Sequence, residues 1–240
     1  IMLWKLNAAF PSVVWQVYDW YMMPNAGYYF MQNAVEPVHI QMNLISNEIL
    51  VINKTYRPVN DLVAQIDIFD LNSSSLLHEE KNISLKASDI QIAGNISQAL
   101  VSDEGVRLVV LRLKDKAGKI VSSNTYWISK SEDFTAMKSM EKVKVDVLVS
   151  GSEQARSEHS WKVEVTNNSG KLAFFTRTQL MSGRDEILPS YWDANYITLL
   201  PGEKRIIRVS CPTEKLNAEN MAVRISGWNV EEKLINLNSK

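Results

Sequence analysis

The rhythm of apolar and polar positions changes near Glu36-Pro37. Beyond that point short runs alternate with period two, the signature of strands that bury one face. Residues 39–44, 48–53, 62–70, 106–114 and 119–128 read as strands, the last two joined by the hairpin signal Asp115-Lys116-Ala117-Gly118. Residues 131–140 are polar and irregular and read as a linker. Strand text resumes at 143–149, 161–166, 172–180, 196–200, 205–210 and 221–228, with turns at Asn167-Asn168-Ser169-Gly170 and Pro201-Gly202-Glu203. Short strands with this punctuation predict a mainly β protein with two consecutive immunoglobulin-like β-sandwiches, at 36–135 and 136–240. The alternation places most carboxylates in turns or on the solvent side of strands, with Glu79-Glu80 and Glu231-Glu232 as solvated charge pairs.

The first 35 residues follow another pattern. Residues 1–6 read as a short buried strand, Phe10-Pro11-Ser12 breaks it, and Pro24-Asn25-Ala26-Gly27 opens a helix over 26–35. The segment holds Trp4, Trp15, Trp20, Tyr18, Tyr21, Tyr28 and Tyr29. A strand, a loop and a helix cannot bury that much aromatic surface alone, so a following domain or a partner must cover it.

Composition narrows the chemistry. The chain has 240 residues, 45% hydrophobic and 22% charged, enough for one or two real cores. Its formal net charge of -1, with basic residues scattered among acids, gives no ground for nucleic-acid binding. No run reaches the roughly 18 apolar residues of a membrane span. The opening lacks the basic stretch of a signal peptide; Ile1 reads as a processed or engineered start, which leaves any parent protein undetermined. Cys211 is the single cysteine, and His39, His78 and His159 lack ligand spacing, so neither a metal site nor a cofactor is expected. There is no Gly-x-Ser-x-Gly elbow and no phosphate-cradling glycine loop. Asn-x-Ser/Thr sequons stand at Asn53, Asn72, Asn82, Asn95 and Asn167. Among the carboxylates Asp19 is distinctive, set among Trp15, Tyr18, Trp20 and Tyr21. It reads first as a loop-fixing acceptor and second as a sugar-contacting group.

Several motifs occur in a recognisable order. Trp4-Lys5-Leu6-Asn7, Phe10-Pro11, Trp15, Tyr18-Asp19-Trp20-Tyr21, Pro24 and Gly27-Tyr28-Tyr29 resemble the end of the catalytic barrel of glycoside hydrolase family 2, in its β-mannosidase and exo-β-D-glucosaminidase branch. Residues 123–129 resemble the strand that closes the first sandwich after that barrel. Phe174-Phe175-Thr176-Arg177, Ile187-Leu188-Pro189, Trp192-Asp193-Ala194-Asn195-Tyr196 and 199–203 resemble the terminal immunoglobulin-like domain of the same group. Ala8 departs from the family, where Asp often follows the asparagine, and Ala194 separates Asp193 from Asn195.

The resemblance implies that 1–35 are a strand-loop-helix remnant of a (β/α)8 barrel. It implies further that the chain is the non-catalytic C-terminal region of a retaining enzyme acting on β-mannosides or β-glucosaminides, its sandwiches bracing the barrel. Retaining hydrolysis needs two carboxylates about 5 Å apart; in this family both are glutamates on earlier barrel strands, so no catalytic residue is assigned here. Trp4 and Asn7 become candidate substrate contacts, with Trp15 and Asp19 as supporting or structural groups. The implied partners are a carbohydrate, reached through the parent enzyme, and the missing barrel. An uncovered remnant predicts self-association, and the relatives imply a periplasmic or extracellular setting. A second reading is a stand-alone carbohydrate-binding or adhesion protein, with Tyr191 and Trp192 as stacking platforms; a third is a structural module whose aromatics are all packed.

Overall fold

The computed structural model describes residues 5–12, 16–101, 105–154, 157–215 and 221–237. Trp4, Trp15 and most of the strand expected at 1–6 lie outside the described residues. Contacts divide the chain into two compact units. One is Phe30–Met140; the other takes the chain as far as Tyr29 and then from Glu141 onward. The division falls inside helix α1 (Ala26–Ala34). That helix begins where the sequence predicts, because Asn25 caps it: its carbonyl and side-chain oxygens both face the Tyr28 N–H, at 3.1 and 3.3 Å.

The Phe30–Met140 unit is a seven-stranded antiparallel sandwich. Strands β1 (Val38–Met42), β2 (Glu48–Asn53), β3 (Val59–Phe69), β4 (Ser75–Leu85) and β5 (Asp89–Asn95) precede a short helix α2 (Ser97–Val101), then β6 (Arg107–Lys114) and β7 (Ile120–Ile128). One sheet runs β1-β2-β5 and the other β4-β3-β6-β7. Their inner faces share Ile40, Ile49, Val51, Ile66, Ile68, Val109 and Leu111, all essentially without solvent contact. The hairpin at 115–118 forms as expected: Asp115 Oδ1 accepts from the N–H groups of Ala117 and Lys119, both at 2.9 Å, and Gly118 takes φ +78°.

Two expectations are corrected here. The outward residues of β3 do not face solvent: Gln65 and Asp67 are buried, 6% and 3% exposed. Asp67 tolerates burial because His78 Nδ1 lies 2.6 Å from one of its oxygens and Gln65 Nε2 donates to the other at 2.6 Å. The segment read as a polar linker holds a 3-10 turn, Thr135–Ser139, whose Met137 is buried, as is Met140 after it. Strand β4 was not legible at all. It carries Glu79, Glu80 and Lys81 as the edge of its sheet, exposed on both faces through 78–82, and charge on an edge strand discourages pairing with another chain.

The other unit is also an antiparallel sandwich. It contains β8 (Asp146–Gln154), β9 (Glu158–Thr166), β10 (Ala173–Ser182), β11 (Asp185–Glu186), β12 (Tyr191–Trp192), β13 (Ile197–Leu199), β14 (Lys204–Pro212), a 3-10 turn at Thr213–Lys215, β15 (Met221–Ser226) and β16 (Lys233–Asn236). One sheet runs β12-β14-β9-β8; the other runs β11-β10-β15-β16, with β13 also paired to β10. Val143, expected inside a strand, makes only an isolated bridge to Val230. The core gathers Val163, Val165, Leu180, Leu199, Val209 and Val223, and Tyr29 belongs to it.

Candidate functional site

The lead-in loop of the second unit is held by its own backbone. The Tyr18 N–H donates to the Leu6 carbonyl at 3.1 Å, and Tyr18 bridges Asn7 on one side and Pro24 on the other. Asp19 Oδ1 accepts from the N–H groups of Tyr21 at 2.8 Å and Met23 at 2.9 Å, which satisfies a tight turn whose Met22 takes φ +63°. The Asn25 side chain donates to the Gln16 carbonyl. These bonds show what Asp19 does locally: it terminates donors in the loop that presents Tyr18. Asn7 is exposed, and its amide reaches only the adjacent Ala8 carbonyl at 3.3 Å. Neither Asn7 nor Asp19 lines the hollow beside Tyr18, and Trp4 and Trp15 lie outside the described residues.

From Tyr18 a run of rings enters the sandwich. Centroids lie 5.3 Å apart for Tyr18 and Tyr28, 5.1 Å for Tyr28 and Tyr29, 5.8 Å for Tyr29 and Tyr196, and 5.1 Å for Tyr196 and Phe175. The pairs are tilted or edge-on, the arrangements that ring quadrupoles favour. Burial pushes the Tyr29 hydroxyl well above the ordinary phenol range and raises that of Tyr196. Burial also raises Tyr18, helped by its hydrogen bond to Tyr28 and the nearby Tyr191. Tyr18, Tyr28 and Tyr191 line a hollow of about 70 Å³ together with Met22, Pro24 and Trp192. That space holds a few waters; it is far below the 300 to 1,000 Å³ of ordinary ligand sites.

The two aromatics expected to act together as platforms separate. Tyr191 is 55% exposed, whereas Trp192 is 6% exposed, its indole N–H donating to Ser190 Oγ at 3.2 Å. The reason is the pleat of β12: neighbouring side chains point to opposite faces, so only one of the pair can face water.

Charged groups nearby are committed. Glu186 accepts from Arg177 Nη2 at 3.1 Å and from the Gln179 amide, and Arg177 lies 5.8 Å from the Tyr196 ring centroid. Arg224 Nε donates to Gln179 Oε1 at 2.9 Å. Sequence reasoning missed this network, because its members sit on four separated strands or loops and share no spacing.

The Phe30–Met140 unit offers an apparent triad. Ser122 Oγ donates to Glu36 Oε2 at 2.5 Å, His39 Nδ1 lies 3.2 Å from that same oxygen, and it lies 3.2 Å from Ser122 Oγ. A working triad uses the two imidazole nitrogens separately, one for the nucleophile and one for the acid. Here a single nitrogen meets both, Ser122 is 2% exposed, and its Oγ also accepts the Ile40 N–H at 3.2 Å. The cluster ties β1 to β7. Among the described residues no group of three metal-binding side chains comes together.

Comparison with known proteins fits this picture. Residues 124–230 match the model of the exo-β-D-glucosaminidase Ig-fold domain. The chain is 26% identical over 258 aligned residues to an exo-β-D-glucosaminidase of Arthroderma benhamiae, covering 98% of this chain and 28% of that protein. It superposes on the crystal structure of the Amycolatopsis orientalis exo-chitosanase with a TM-score of 0.87 at 27% identity, covering 97% of this chain and 30% of that one. A β-D-mannosidase of Dictyoglomus thermophilum shares the fold, with a TM-score of 0.63 at 18% identity. The chain spans under a third of the length of the relatives it matches. It is therefore homologous to the Ig-like region of the exo-β-D-glucosaminidases and β-mannosidases of glycoside hydrolase family 2.

Proposed function

We propose that this chain is a non-catalytic region of a retaining exo-β-D-glucosaminidase or β-mannosidase, whose sandwiches brace the catalytic domain. The observation that carries this reading is the match of 124–230 to a glucosaminidase Ig-fold domain, within a chain that aligns over nearly all its length with about 28% of such an enzyme. The commitment of the carboxylates supports it. Asp19 caps a turn, Asp67 pairs with His78, Glu36 binds Ser122, and Glu186 is held by Arg177 and Gln179. None of these is poised as one of two carboxylates facing each other across an open cleft, which retaining hydrolysis requires.

The exposed lead-in residues Leu6, Phe10, Trp20, Tyr21 and Met22 provide the surface against which the catalytic domain would lie, and exposed apolar surface of this extent predicts self-association when that domain is absent. Trp4 and Asn7 remain proposed sugar contacts of the complete enzyme. The test is release of p-nitrophenol from β-D-glucosaminide and β-D-mannoside by this chain, beside the longer polypeptide proposed to contain it. Turnover by the longer polypeptide alone is expected; turnover by the 240-residue chain would overturn the reading.

A further inference from the structure

Asn7 is placed by its backbone. Its side chain is exposed and bonds to the neighbouring carbonyl of Ala8. Residues 6–8 are fixed by Tyr18, whose N–H donates to the Leu6 carbonyl at 3.1 Å and which forms a parallel bridge with Asn7. Tyr18 is fixed in turn by the turn that follows it. The Asp19 N–H donates to the Met23 carbonyl at 3.1 Å, the Asp19 carboxylate accepts from the N–H groups of Tyr21 and Met23, and the Asn25 N–H returns to the Val17 carbonyl at 3.0 Å. A hold on Met23 is therefore a hold on Tyr18, and through it on Asn7.

That hold comes from far along the chain. Arg177 Nη2 lies 2.8 Å from Met23 Sδ, across 154 residues. A thioether is a weak acceptor, so this contact fixes the loop only if Arg177 is itself fixed. It is, from two further sides. Its Nη2 meets Glu186 Oε2 at 3.1 Å, and its guanidinium carbon lies 5.8 Å from the Tyr196 ring centroid. Glu186 is held by Gln179 and Gln179 by Arg224, on β11, β10 and β15 of one sheet. A planar, rigid guanidinium can serve several partners in fixed directions, which a lysine ammonium on a flexible stem cannot. Beyond the loop, Tyr28 packs against the Tyr18 ring and Tyr29 enters the sandwich core. The loop thus belongs to the compact unit that resumes at Glu141.

We propose that Arg177 is a positioning residue of the complete enzyme. The proposal rests on the reading of this chain as part of a family 2 glycosidase in which Asn7 meets the sugar. Arg177 touches no substrate. It acts through Met23, the turn at 19–23 and Tyr18, so that the terminal sandwich sets where residues 6–8 present Asn7. Bracing is thereby assigned to one side chain and one loop.

Two measurements test it. Hydrogen exchange of the 240-residue chain reads the loop without any need for activity. In Arg177→Met, which keeps the stem and removes the fork, peptides covering 16–25 should exchange about fivefold faster or more, with β9 and β14 unchanged. Arg177→Lys should loosen the same peptides, because charge without the fork does not serve all three partners. Met23→Ala cuts the contact from the loop side and leaves the sandwich network whole; it should speed the same peptides about threefold. Steady-state kinetics of the longer polypeptide reads the consequence, on p-nitrophenyl β-D-glucosaminide or β-D-mannoside, whichever it hydrolyses. Arg177→Met should raise KM about threefold or more with kcat within about twofold, the mark of a lost binding contact. A purely structural role would lower the melting temperature and the amount of active enzyme and leave KM alone. Unchanged exchange at 16–25 in both Arg177→Met and Met23→Ala, loosening confined to the sandwich strands, or an unchanged KM in an active Arg177→Met enzyme would each overturn the proposal. A longer polypeptide without glycosidase activity would sink the functional reading instead, and the exchange result would still decide whether Arg177 holds the loop.

Discussion

The two sandwiches use the same device at the same kind of place and then diverge. Asn53 ends β2 and Asn167 follows β9, each almost without solvent exposure. Asn53 Oδ1 accepts from Thr55 N and Oγ1, and Asn167 Oδ1 from Ser169 N and Oγ. The hydroxyl two residues on then reaches the carbonyl of Arg57 in one unit and of Lys171 in the other, at 3.0 Å in both. The asparagine amides differ. Asn53 donates to the carbonyls of Arg57 and Lys86; Asn167 donates to Lys171, Leu199 and Leu200. The second unit repeats the strategy. Asn195 exchanges bonds with Thr178, and Asn229 clamps Glu141, Leu172 and Phe174. The first unit instead buries charged or ionisable groups, in the Glu36–His39–Ser122 and Asp67–His78 clusters. The Asp67–His78 pair, whose histidine pKa is raised, should make the first sandwich respond to pH near neutrality.

Core truncation sets the upper limit of the comparison. Leu111→Ala in the first unit and Leu180→Ala in the second, both without solvent contact, should each cost about 2 to 5 kcal/mol in urea unfolding. Hydrogen-exchange mass spectrometry should place each loss in its own sandwich.

The asparagine clamps come next. Asn167→Ala should destabilise by about 2 to 4 kcal/mol and Asn53→Ala by somewhat less, because three carbonyls lose a donor in one case and two in the other. Equal costs would show that the hydroxyl turn, shared by both, dominates. The same burial gives the sequons at Asn53 and Asn167 a structural meaning: their amides are consumed inside the fold.

Glu186→Gln should have a smaller effect, about 1 kcal/mol, since the Arg177 pair is only partly shielded from water and the amide retains one acceptor.

The smallest effect is the one that separates the units by kind. Asp67 raises the His78 pKa, first through their hydrogen bond and then through its charge. A raised folded-state value means that the stabilisation is fully present below the ordinary histidine pKa of about 6.5 and is lost as pH rises through the higher folded value. The stability of the first sandwich, followed by Trp127, should therefore fall as pH rises across that window. His78→Gln should flatten the dependence.

What could be read in the sequence follows this same contrast. β2, whose burial alternates, and the hairpin of β6 and β7 stand within a residue of their expected limits; β6, buried on both faces, was legible as an apolar run beside a turn signal. Strand β4 escaped because an edge strand exposes both faces and loses the period. Strands β11 and β12 are two residues each, too short for any period. Asp67 was misplaced to solvent because its partner His78 comes from a strand the pattern did not reveal. Asn167 was legible as a turn but not as a buried clamp, since a polar run looks alike in both settings. Of the site, Tyr191 was legible as an exposed aromatic; the burial of Trp192 beside it was not, because a two-residue strand is too short to show which face each side chain takes.

The central claim is that the chemistry lies outside these residues. A retaining glycosidase forms a covalent bond between sugar and carboxylate, so a fluorosugar that traps the glycosyl-enzyme marks the nucleophile directly. The longer polypeptide should be treated with activated fluoro-glucosaminide and fluoro-mannoside, digested, and its labelled peptide sequenced. The account predicts a single labelled glutamate outside the 240 residues described by this sequence. A labelled carboxylate within them would contradict it and make this chain part of the catalytic centre.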